Sequence, residues 1–150
     1  MNTFFVAVCT VLVLLQGAHA QNQIGSCATP NMTAVFKTTS QSVIPVIPAR
    51  NVNWTFTLNG NAAVPLSGVT ALISTSVCIQ GTCIPVDQRT IPCSNPSGCN
   101  FPAGPATIQV QQLIPSFTPA GQYQSTLGYT GTANGSPVSF ACFIDSFTLN

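Results

Sequence analysis

Apolar and polar residues alternate along much of this chain. In "NVNWTFTLN" (residues 51–59), Val52, Trp54, Phe56 and Leu58 fall on one side, and Asn51, Asn53, Thr55, Thr57 and Asn59 on the other. A period of two is the mark of a strand with one buried face. The same pattern recurs downstream. "GVTALISTSV" (68–77) groups Val69, Ala71 and Ile73, and "ATIQVQQLI" (106–114) sets Ile108 and Val110 against Gln109 and Gln111. "GQYQSTLGYTG" (121–131) groups Tyr123, Leu127 and Tyr129. An earlier strand is predicted over 33–39, "TAVFKTT". "PVSFACFIDSFTL" (137–149) is apolar on both faces, as expected of a strand in the middle of a sheet. No segment sustains a period of 3.6, so helices are not expected.

Turn signals separate these segments. Asn134-Gly135, between the last two, predicts a type I′ hairpin, because both central positions of that turn want a positive φ. Prolines such as Pro45, Pro65, Pro92 and Pro119 punctuate the rest. About seven short antiparallel strands predict an all-β, immunoglobulin-like sandwich of two sheets, with a barrel as the other arrangement. No internal repeat is visible, and residues 21–150 suit a single domain.

The N-terminus changes the composition that matters. An apolar run over 4–15 is followed by Gln16-Gly17 and then Ala18-His19-Ala20. This predicts a secretory signal peptide over residues 1–20, cleaved after Ala20. The run is shorter than the roughly 18–20 apolar residues of a spanning helix. Cleavage removes the one histidine, His19, and one of seven cysteines, Cys9. The remainder carries five charged residues, Lys37, Arg50, Asp87, Arg89 and Asp145, and no Glu.

These losses exclude several chemistries. Three scattered cations do not make the basic footprint that nucleic acid requires. Ser-His-Asp and Cys-His catalysis, His-built zinc sites and a histidine pH switch all need a histidine. A two-carboxylate site would have to use Asp87 and Asp145, and nothing else in the sequence supports it. No catalytic residue, metal or cofactor is expected.

Six cysteines in a secreted chain predict disulfides, with fifteen pairings open to them. Cys93 and Cys99 bracket a short Pro/Gly loop, and Cys78 and Cys83 flank the turn-forming Gly81, so both pairs are easy to close locally. That leaves Cys27 with Cys142. Three Asn-x-Ser/Thr sites mark candidate glycans at Asn31, Asn53 and Asn134. Asn53 suits a glycan best, since it lies on the polar face of a well-patterned strand.

The ordered set of these features resembles the ML lipid-recognition domain. That family includes the soluble Niemann–Pick type C sterol carrier and fungal phosphatidylglycerol/phosphatidylinositol transfer proteins. The resemblance spans residues 21–150. It rests on Cys27, on "VNWTFTLN" (52–59), on Cys93 and Cys99 after a Pro-containing strand end, and on "GQY" leading through a hairpin to "FACFI" with Cys142. The pair Cys78/Cys83 departs from the sterol carrier, whose second short cysteine loop lies nearer the N-terminus.

The resemblance implies a sandwich with an apolar cavity between its sheets for a sterol or phospholipid. Inward candidates on the earlier strands are Val52, Trp54, Phe56, Leu58, Val69 and Ile73. Those on the later strands are Ile108, Val110, Tyr123, Leu127, Tyr129, Phe140 and Phe143. Phe101, two residues after Cys99, is expected exposed at the cavity mouth, where it could also touch a membrane. The implied role is lipid carriage in a secreted or vacuolar/lysosomal lumen, with donor and acceptor membranes and a membrane receptor as partners. An extracellular recognition protein, such as an immune-type lipid sensor, would use the same fold.

Overall fold

A computed structural model describes residues 23–27 and 34–150. The expected signal peptide and the Asn31 site lie outside these residues. Among the described residues there are eight antiparallel strands: β1 (Gln23–Ser26), β2 (Phe36–Ile44), β3 (Asn53–Ala62), β4 (Leu66–Ile79), β5 (Thr82–Pro92), β6 (Gly104–Leu113), β7 (Gly121–Ala133) and β8 (Ser136–Leu149). They form a five-stranded sheet ordered β1-β8-β7-β4-β5 and a three-stranded sheet ordered β2-β3-β6. The predicted all-β sandwich is what forms.

Two strands were not expected. β1 adds along β8, and β5 pairs along β4. Nearly every residue of β5 is exposed, so it carries no buried face to alternate against an exposed one. Periodicity cannot find such an edge strand. The early strand also lies later than predicted, starting at Phe36 and running to Ile44.

The inward rows of the two sheets meet through aromatic rings. Phe36 of β2 packs on Phe140 of β8 with centroids 5.5 Å apart, Phe56 of β3 on Phe143 at 5.5 Å, and Trp54 on Phe147 at 4.3 Å. Phe140 and Phe143 are three residues apart, which alternation alone would place on opposite faces. A bulge reconciles them: Tyr129 pairs with Ala141 and Thr130 with Ser139, so Phe140 is the extra residue. Phe36 lies against Gly60 of β3, where any Cβ would meet its ring. The hairpin at Asn134-Gly135 has both residues at positive φ, as the type I′ turn requires.

Three disulfides staple the chain, none of them between the two sheets. Cys27–Cys142 spans 115 residues and fastens the segment after β1 to β8. Cys78–Cys83 joins directly opposed residues of the β4–β5 hairpin, and Cys93–Cys99 closes the loop after β5. That loop is stitched to β4, with Val69 N–H donating to Cys99 O at 3.0 Å and Cys93 N–H to Val69 O at 3.3 Å.

Candidate functional site

The sheets part at one end of the sandwich. There a cavity of about 540 Å³ opens between Trp54 and Gln112 on the small sheet and Thr75, Val77, Tyr123 and Phe147 on the large one. The volume falls inside the roughly 300–1,000 Å³ typical of small-ligand pockets. Its walls are continued by Ile114, Pro115, Phe117, Thr118, Pro119 and Ala120 from the β6–β7 connection, and by Val86, Asp87 and Arg89 from β5.

Alternation places the wall residues of β3, β4, β6, β7 and β8. Trp54 opposes Gln112 across β3 and β6, Val77 opposes Tyr123 across β4 and β7, and Tyr123 opposes Phe147 across β7 and β8. One inward position deeper, Phe56, Val110 and Ile73 are fully buried, and on β8 Asp145 and then Phe143 follow Phe147 inward, both fully buried. The cavity is therefore the last rung of the core, left open.

The β6–β7 connection is anchored on several sides. Tyr123 OH donates to Pro119 O at 2.9 Å, Arg50 Nε to Thr118 O at 2.7 Å, and Asn51 N–H to Ile114 O at 2.8 Å. Arg50 also donates to the Asn150 carbonyl. Trp54 Nε1 donates to Pro45 O at 3.0 Å, so the indole is satisfied by the β2–β3 connection. Phe117, 85% exposed, stands at the rim. Asp87 and Arg89 form an ion pair at 3.3 Å, with both side chains nearly half exposed.

A polar rung lies beside the cavity floor. Thr75 and Ser125 are buried and share a hydroxyl–hydroxyl bond of 3.1 Å. Ser125 opposes Asp145 in the register of β7 and β8. Asp145 is fully buried, and among the described residues neither carboxylate oxygen has a hydrogen-bond partner. Desolvation by burial raises its pKa to about 6. Gln112, also buried, faces the cavity from the other sheet with Oε1 unpartnered.

The structure divides the sequence-derived residues into three groups. Trp54 and Tyr123 line the cavity. Phe56, Leu58, Val69, Ile73, Ile108, Val110, Leu127, Tyr129, Phe140 and Phe143 are buried in the core outside the lining. Two residues depart from their expected settings. Val52 precedes β3 and is 41% exposed, because the strand starts one residue later. Phe101 is only 8% exposed and sits at the opposite end of the sandwich. There it bridges Leu66, with N–H···O bonds of 2.7 and 2.9 Å in both directions. The disulfide loop thus plugs the closed end with Phe101 and leaves the mouth to Phe117. Asn53 and Asn134 are both exposed.

Sequence reasoning missed Thr75, Gln112, Phe147 and the 115–120 segment. Parity could have found the first three, since Thr75 extends Ile73, Gln112 extends Val110, and Phe147 extends Phe143. The connection carries no periodicity to read. Among the described residues, no group of three or more His, Cys, Asp or Glu could hold a metal ion.

Fold and site together define an all-β, two-sheet sandwich with an apolar cavity at one end. The structure is similar to that of a Niemann-Pick type C2 protein from Japanese carpenter ant, with a TM-score of 0.57 and 14% identity, over 85% of this chain and 99% of that one. It is also similar to the C-terminal domain of wzt, with a TM-score of 0.55 and 8% identity, over 86% of this chain and 78% of that one. At these identities the likeness is one of fold. No family model matches the sequence, and no curated protein matches it.

Proposed function

We propose that this protein is a secreted or lumenal carrier that holds a sterol or phospholipid in the end cavity and exchanges it with membranes. The observation that carries this reading is where the exposed apolar side chains lie. Of the ten large exposed hydrophobics among the described residues, only Leu72 lies away from the cavity end. Ile44, Val46, Ile47 and Val52 border the β2–β3 connection, Leu113 and Phe117 the β6–β7 connection, and Ile79, Ile84 and Val86 the β4–β5 hairpin.

An apolar rim around an apolar cavity suits transfer of a lipid tail from bilayer to protein without exposure to water. Each buried methylene contributes about 0.8 kcal/mol before ordering costs, so a hydrocarbon tail binds without polar chemistry. The fold shared with the Niemann-Pick type C2 protein supports the same reading, as does the sequence resemblance to the ML family. Three disulfides fit an oxidising compartment. The expected signal peptide and the exposed Asn53 and Asn134 sites agree with passage through the secretory pathway.

The test is uptake of fluorescent sterol and phospholipid by the purified protein, with mass spectrometry of lipids extracted from it. Stoichiometric uptake is expected. A protein that arrives without lipid and takes up neither probe would overturn the reading.

A further inference from the structure

Of the two polar side chains in the inner wall, Thr75 and Gln112, only Gln112 has an atom left without a partner. It continues the inward row of Ile108 and Val110 on β6, is 7% exposed, and has no partner for Oε1. A buried carbonyl without a donor is unfavourable until something supplies one. No described residue supplies one. The indole N–H of Trp54, its register partner, is given to Pro45, and the Thr75 hydroxyl on the facing sheet is bonded to Ser125. The unmet acceptor lies in the wall of a cavity large enough for a ligand.

We propose that the cavity takes a neutral lipid alcohol, hydroxyl end innermost, with that hydroxyl donating to Gln112 Oε1 and the hydrocarbon running outward past Ile114, Tyr123 and Phe147. This rests on the carrier reading above and names the ligand class and its orientation. A fatty-acid anion does not suit the inner position. The inner wall holds no cation, and Asp145 stands in the row behind Thr75 and Ser125. Arg89 belongs to the rim and is paired with Asp87, so a carboxylate would stay at the mouth with its tail inward.

The experiment compares tetradecanol, its methyl ether and tetradecanoate as competitors against a bound fluorescent lipid. Wild type is set beside Gln112→Leu and Gln112→Met, with the melting temperature of each variant measured to verify folding. The ether keeps an oxygen but has no proton to donate. Wild type is expected to prefer the alcohol over the ether by about tenfold, the usual scale for one buried acceptor satisfied or not. Both variants should lose that preference while tetradecanoate binding stays unchanged. Equal binding of alcohol and ether by wild type would overturn the inference, as would a preference that survives in both folded variants. Displacement by none of the three, with no uptake of the fluorescent lipid itself, would instead overturn the carrier reading.

Discussion

At the end of the sandwich reached by Ala62, Leu66 and Phe101, the two sheets close on each other. Phe36 packs against Gly60 and Phe140, and Phe101 is bridged to Leu66 as a plug. At the end reached by Trp54, Tyr123 and Phe147, the sheets stay apart around about 540 Å³ of space. Apart from Thr75 and Gln112 at the open end, the side chains at the two ends are alike in kind, since both sets are aromatic and aliphatic and both arise from alternating strands. What differs is the closure. A disulfide loop is pressed into one end, whereas the 115–120 connection at the other is pinned to the rim by Arg50 and Tyr123 and leaves a gap. Apolarity alone does not separate core from pocket; the covering segment decides.

The largest perturbation should ignore the distinction between the ends. Replacing Cys27 and Cys142 together with Ser releases a 115-residue loop and should lower stability by about 5 kcal/mol on the chain-entropy account, read from denaturant midpoints. Next, Phe101→Ala opens the plug of the closed end. A loss of about 3 kcal/mol is expected, with unchanged lipid uptake per folded molecule. If uptake fell in the folded fraction while stability held, the assignment of the ends would be reversed.

Acidity offers a third probe of comparable size. The Asp145 carboxyl is raised to about 6, so the folded state keeps a proton that the unfolded chain releases near its ordinary value. The resulting stability is fully present below about pH 4 and lost as pH rises through about 6, a difference of about 3 kcal/mol. Melting temperature should therefore climb on acidification from neutral pH. Asp145→Asn should flatten that dependence, and an unaltered slope in the variant would remove Asp145 as its source. The smallest stability effect belongs to the rim. Phe117→Ala, at 85% exposed, should change stability by less than about 0.5 kcal/mol yet slow lipid transfer between vesicles.

Much of this was legible in the pattern of the chain. Trp54, Phe56 and Leu58 announce β3, and Asn134-Gly135 announces the β7–β8 turn, because local alternation and turn chemistry are written residue by residue. β5 was not legible, since both its faces are solvated and its place is set by pairing with β4. The site was only half legible for a related reason. Alternation tells which residues point inward, but not how far along the strand the two sheets remain in contact. Trp54 and Phe56 look equivalent in sequence; only the first faces space. The plug at Phe101 was hidden because a Pro/Gly loop gives no hint of which surface it will cover.

The edge strand β5 has one further consequence. It is an edge of the five-stranded sheet, and the outer backbone row of an edge strand is the kind of template on which chains add to one another. Pro85 and Pro92 interrupt that row, a bulge at Thr75/Ser76 twists its pairing with β4, and Asp87 and Arg89 stand on it. In a chain with five charges outside its expected leader, two sit on this strand. The sandwich is thus guarded along this flank against adding copies of itself. Neutralising that flank should show first as fibres or turbidity at high concentration rather than as any change in what the cavity holds.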